Sequence, residues 1–280
     1  MNIFLLAAVL VWFVKFRRPE ERMFPQISDK ELENIENHFS KTQSNILEEL
    51  SFNGKNLPCD VESGIFYLPM SMMDPQWGEG TVTSGTVGVE ITFFSHITEE
   101  DKETLISSGK KIPFYAYTEN EYRKYHLVIT GLPILEITTI EEPPEAEAHY
   151  GIIENAPDGY YHMRLLESES KLNWVIESDM LMHVRGNTSQ TYPKKGYKFQ
   201  MVNKLANGKL EENKQSLLGY RTDDEWILHA MYNDGTKVRD KLSSDIWNAF
   251  GAKNNDFNRH FMFCVVCWGK QGLWIPVRRF

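Results

Sequence analysis

Between Arg185 and Lys198 the chain reads Arg185-Gly-Asn-Thr-Ser-Gln-Thr-Tyr-Pro-Lys-Lys-Gly-Tyr-Lys198, which sets Arg185, Lys194, Lys195 and Lys198 around a Gly-Asn-Thr-Ser loop. Backbone amides and hydroxyls of such a loop, with cations beside them, suit a phosphate group. This is the densest basic stretch in a chain whose formal charge is -9. The same lysines also fit a solvated strand edge, where lysine discourages edge-to-edge pairing. Neither a P-loop lysine motif nor a G-x-G-x-x-G run is present to decide between the two readings. Farther on, Arg239, Asp240 and Asp245 carry charge on a predicted helix and read either as solvent-facing groups or as a partner for a lysine of the preceding strand.

Other chemistry is weakly supported. Cys264 and Cys267 form a C-x-x-C, but positions three apart on a strand face opposite sides and do not converge on a metal. A redox pair normally sits at a helix start that lowers the thiol pKa, so both cysteines read as small apolar strand residues. The eight histidines show no metal-ligand spacing, and no H-E-x-x-H run is present. Excess negative charge argues against broad nucleic-acid binding, which needs a basic face to displace counterions from phosphates.

The elements that must position these residues follow from periodicity. Tyr160–Leu166 and Met180–Val184 alternate as strands ahead of the basic loop. Asn233, Asp234 and Thr236 supply turn and cap chemistry; Val238, Leu242, Ile246 and Phe250 then share one helix face, and Gly251 is a fitting stop. Upstream, Glu141-Glu-Pro-Pro-Glu-Ala-Glu-Ala148 reads as an acidic linker. Short β-rich runs at Gly64–Leu68, Val87–Phe94, Ile112–Tyr117 and Tyr125–Thr130 predict a small β-sandwich over 57–140. Met70–Gly80 reads as an exposed loop with one packed tryptophan. Ser28-Asp-Lys-Glu31 is a capping box, and apolar residues from Leu32 to Leu50 at near-helical spacing extend an amphipathic helix over 28–50.

The chain opens on the apolar run Met1–Val14, closed by Lys15, Arg17 and Arg18. It reads as a membrane anchor or signal segment over 1–18, short for a span of about 20 residues, or as a buried core helix. The basic cluster behind it would hold the body in the cytoplasm by the positive-inside rule, so the orientation stays open.

From about Tyr160 onward, Arg185-Gly-Asn-Thr-Ser, Tyr192-Pro-Lys-Lys-Gly-Tyr-Lys, Leu217-Leu-Gly, Asp224-Glu-Trp-Ile-Leu, Tyr232-Asn-Asp and Val238-Arg-Asp-Lys-Leu stand in an order that resembles the CotH (spore-coat) kinase family. That family's pattern reads R-G-N-S/T, P-K-K-x-Y, L-L-G, D-W-x-L, Y-x-D and R-x-K-L. The segments read above and the resemblance together give an expected α+β chain: an N-terminal membrane helix, the β-sandwich and a linker over 141–149 from the residues, then over 150–280, by resemblance, the β-rich N-lobe of an atypical protein-kinase-like fold. The resemblance implies ATP and a divalent metal (Mg or Mn) as cofactors and Ser/Thr of coat or cell-surface proteins as substrates; with the N-terminal segment, the chain is expected to be membrane-anchored at the cell surface. Carried over, Lys195 or Lys198 meets phosphate, with Lys194 less favoured, and Arg185 and Arg239 shape the lobe or contact the nucleotide. The family's catalytic aspartates lie downstream of a hairpin like Phe261–Val277, so the 280 residues are expected to be inactive alone. The alternative is a non-catalytic coat or cell-surface interaction protein.

Overall fold

The structure, a computed structural model, describes residues 23–60, 62–71, 80–167, 175–251 and 264–269. The chain divides into two compact units, the first ending at Gly131 and the second starting at Leu132.

In the first unit the capping box forms as its sequence requires. Ser28 Oγ accepts the Glu31 N–H at 3.3 Å, and Glu31 Oε2 accepts the Ser28 N–H at 2.9 Å. They start α1 (Asp29–His38), which ends at Phe39 in extended backbone. The helix expected through Leu50 is therefore corrected, because partners distant in sequence capture the next amides. Ser40 N–H donates to Asn120 O at 2.8 Å, and β1 (Ser40–Lys41) pairs in parallel with β9 (Glu121–Thr130). The buried Tyr125 hydroxyl accepts the N–H groups of Ile46 and Leu47 at 3.0 and 3.2 Å. Leu47 and Leu50 are fully buried in the core, and neither lies on a helix face.

The remaining strands of this unit are β2 (Leu50–Phe52), β3 (Lys55–Asn56), β4 (Cys59–Asp60), β5 (Ile65–Pro69), β6 (Val82–Ser84), β7 (Glu90–Phe93) and β8 (Lys111–Tyr117), with α2 (Lys102–Ser108) between β7 and β8. One sheet runs β4-β5-β9-β8-β7, with β5 and β9 parallel; the other runs β3-β2-β6. Where a small β-sandwich was expected, the unit is β-rich, with two sheets and two short helices beside them. The two sheets enclose a core of Phe52, Val82, Phe66, Phe114 and Leu127, which Leu105 and Ile106 of α2 join, while Ile35 of α1 packs on Tyr115 and Tyr122. The apolar runs mark β5, β7, β8 and β9 but not the short strands or the parallel partners, which only a crossover brings together.

The second unit begins with β10 (Ile134–Glu141), most of which falls in the 57–140 range expected to be the first domain. It pairs antiparallel with β11 (Gly159–Leu166) across the exposed 142–148 stretch. The order is β14-β13-β12-β11-β10-β18, with β12 (Val175–Arg185), β13 (Gly196–Lys204), β14 (Leu210–Glu212) and β18 (Val265–Gly269); β17 (Glu225–Leu228) also pairs with β13, while β15 (Gln215–Ser216) and β16 (Thr222–Asp223) form a small hairpin. Alternation sorts the faces. Ile137, Met163, Met180 and Met201 are fully buried on one side. On the other, Arg164 bridges Glu136 at 2.6 Å and Glu177 at 3.2 Å across three strands. Cys264, Val266 and Trp268 pack on the core, whereas Cys267 pairs in register with Glu136.

The fold expectation needs one further correction. The described residues are β-rich with three helices, the longest being α3 (Arg239–Gly251), and none is long and apolar enough to cross a membrane. The membrane helix expected at 1–18 lies outside the described residues and has no support. Most of the Met70–Gly80 loop and of the Phe261–Val277 hairpin, apart from β18, also lies outside them.

Candidate functional site

The turn after β12 runs from Gly186 to Gly196. Gly186 has φ +99, a conformation that L side chains rarely adopt, and a Cβ there would collide with Ser189 Oγ. Thr188–Thr191 then make one 3-10 turn. Gly196 opens β13, and a Cβ there would make only ordinary contacts, 3.4 Å from Leu228 O and 3.7 Å from Arg185 Cγ.

Between these segments lies a cavity of about 190 Å³. Arg185, Gly186, Ser189 and Tyr192 line it from the turn, and His229 through Asn233 from the loop that leaves β17. The Tyr192 and Tyr232 rings meet across it with centroids 5.3 Å apart. The second loop is held by its own polar groups. Lys237 Nζ donates to Met231 O at 2.6 Å and to Tyr232 O at 2.9 Å. Asp234 Oδ1 accepts from Thr236 Oγ1 at 2.7 Å, and its Oδ2 accepts the Arg239 N–H at 3.0 Å, capping α3. Burial pushes the Asp234 carboxyl up, but the Arg239 and Thr236 donors and the Arg239 charge outweigh it and hold its pKa at about 2.

The four cations named from the sequence do not converge. Arg185 is exposed, lines the cavity and has no ion-pair partner among the described residues. Lys195 Nζ donates to Gln190 O and closes the turn. Lys198 is paired with Glu225 at 2.7 Å, across from Ile227 on the neighbouring strand. Arg239 starts α3 largely exposed, its Nε 3.5 Å from Asp234 Oδ1. Lys194, the less favoured lysine, is half-buried without a carboxylate partner among the described residues. Burial first, then the Lys237 ammonium, draws its pKa below the ordinary lysine value, with Cys264 acting the other way. Burial pushes the Cys264 thiol up to about 11, so it is protonated at neutral pH.

Tyr192, Tyr232 and Asn233 belong to motif blocks that the sequence displayed, but their convergence needed the strand order. Gln190, which ties the turn together, carried no signal beyond its position within the basic stretch.

A glycine-turned loop with an unpaired guanidinium at a cavity mouth is an arrangement that can take an anionic group. For a metal the fit fails: among the described residues no group of three or more His, Cys, Asp or Glu is placed to hold one. Residues 182–273, from the latter part of β12 onward, match the family CotH kinase protein, and this stretch is CotH-type. No curated protein and no solved structure matches the chain.

Proposed function

We propose that the second unit binds the phosphates of ATP at this cavity and forms part of a protein kinase that phosphorylates Ser or Thr of coat or cell-surface proteins. The observation that carries this reading is convergence. Arg185 and Gly186, Tyr192, and Tyr232 and Asn233 come from separate CotH-type blocks and line one cavity, with the Arg185 charge uncommitted. Phosphoryl transfer depends on positioning and electrostatic stabilisation, and a guanidinium matches phosphate oxygens in bidentate geometry. Arg185 orients the phosphates, while Lys195 and Lys198 act through the turn and the sheet edge that they tie. ATP would supply the transferable phosphoryl group, and none of the described residues is assigned to a divalent cation.

The test is thermal denaturation with and without Mg-ATP, since a ligand at 100 times its Kd stabilises by about 2.7 kcal/mol. The wild type should gain stability, and Arg185→Ala should weaken binding about tenfold to a hundredfold, the worth of a charge-assisted hydrogen bond. An unchanged melting temperature at millimolar ATP refutes the reading.

A second reading, a non-catalytic surface or coat interaction protein, is favoured by α3. Leu242, Ile246 and Phe250 are 56%, 46% and 89% exposed there, an apolar stripe of the kind that contacts other proteins. It predicts partner binding with no response to ATP.

A further inference from the structure

The geometry points to Gln190 as a positioning residue of the proposed phosphate site, the tie that holds Arg185 and Gly186 at the cavity mouth; the inference rests on the nucleotide reading above. Gln190 is 5% exposed, and its whole side-chain amide is engaged. Nε2 donates to Gly186 O at 2.6 Å and to Ile153 O at 3.2 Å, while Oε1 accepts the Ile153 N–H at 2.9 Å. The two-point contact with Ile153 imitates a strand pairing between backbones.

Its own main chain completes the knot. Gln190 N–H donates to Asn187 O at 2.9 Å, and its carbonyl accepts from Lys195 Nζ. One residue therefore joins three pieces: its side chain reaches the 149–155 loop and the Gly186 carbonyl, and its main-chain carbonyl reaches the Lys195 end of the turn. Gly186 lies at the junction of two hollows. It lines the cavity with Arg185 and also a shallower groove of about 470 Å³ formed with His149 and Ile152–Asn155. A bond to the Gly186 carbonyl sets the Gly186–Asn187 peptide plane, one residue beyond Arg185, and so fixes the turn that follows the guanidinium-bearing end of the strand. Alanine lacks the amide entirely. Glutamate keeps the acceptor for Ile153 N–H, but its ionised carboxylate faces the Gly186 carbonyl with no proton to donate. A protonated glutamic acid restores one donor.

The experiment measures Mg-ATP affinity of the full chain by calorimetry, for wild type, Gln190→Ala and Gln190→Glu, with circular dichroism as the check on folding. Loss of a buried hydrogen bond at the mouth should weaken binding about tenfold in both variants at about pH 8. For Gln190→Glu the ratio to wild type should close to within about twofold near pH 5, as the buried carboxyl takes up a proton; Gln190→Ala should show no such recovery. A purely structural role predicts a loss that does not follow pH. If wild type binds and both variants bind equally well, or the Gln190→Glu deficit is constant with pH, this inference falls and the nucleotide reading stands. Unfolding of both variants reduces Gln190 to a fold residue and overturns it as well. If wild type itself does not bind Mg-ATP, the nucleotide reading falls and takes this inference with it.

Discussion

Replacing Gly186 by alanine tests the geometry on which the site stands. The backbone there has φ +99, where an L residue is strained, and a Cβ would run into Ser189 Oγ. Strain of that kind costs about 1–3 kcal/mol. The Ser189 hydroxyl is the far end of a small side chain and can rotate away, so the clash adds little; the next contact, Ser189 Cβ at 3.4 Å, is ordinary. Gly186→Ala should therefore destabilise the second unit by about 2 kcal/mol, a fall in Tm of roughly 4–8 °C for a domain of this size. The assay is thermal and urea denaturation followed by circular dichroism and tryptophan fluorescence. Trp226 and Trp268, which pack against this unit's core, report its unfolding. Adding Ser189→Ala should recover only the small steric part, because the backbone strain remains. A Gly186→Ala protein within about 0.5 kcal/mol of wild type would refute the argument, since surface substitutions without such strain fall in that range. A double variant restored fully to wild type would show that the hydroxyl clash, and not φ, was the whole effect.

Two other outcomes follow from the same reasoning. Tyr125→Phe removes the acceptor of the Ile46 and Leu47 amides, the latter fully buried, and should cost about 2–4 kcal/mol in urea denaturation. An effect below about 1 kcal/mol would mean that water or another oxygen satisfies those amides. Asp234 has its folded pKa depressed to about 2. Its contribution is thus fully present above the unfolded carboxyl range near 4 and is lost as pH falls through about 2. In acid titrations followed by circular dichroism, wild type should lose stability across that window more steeply than Asp234→Asn; parallel curves would exclude Asp234 as the cap of α3.

Much of the secondary structure was readable from pattern. Alternation along Tyr160–Leu166 and Met180–Val184 marks β11 and the heart of β12, the Ser28 box marks the start of α1, and the apolar spacing from Val238 to Phe250 marks α3. These signals are local, since each depends on residues within a turn or two of one another. The CotH-type blocks were also legible, because order and spacing along the chain survive without coordinates.

What only the tertiary structure decided depends on partners far apart in sequence. Leu47 and Leu50 keep helical spacing from Leu32, yet the Tyr125 hydroxyl, 78 residues from Leu47, takes the amides there and leads the chain into the core. Residues 134–140 fall within the range expected to be the first domain, yet the strand Ile134–Glu141 pairs with β11 of the second unit. The same reason governs the site. Four cations looked alike in the sequence, but Glu225, 27 residues away, neutralises Lys198, and the Gln190 carbonyl occupies Lys195. A charge's availability to a ligand depends on what else it touches, which spacing along a strand does not record, so the sequence by itself determined that a basic loop exists and the fold decided that Arg185 is the cation at its cavity.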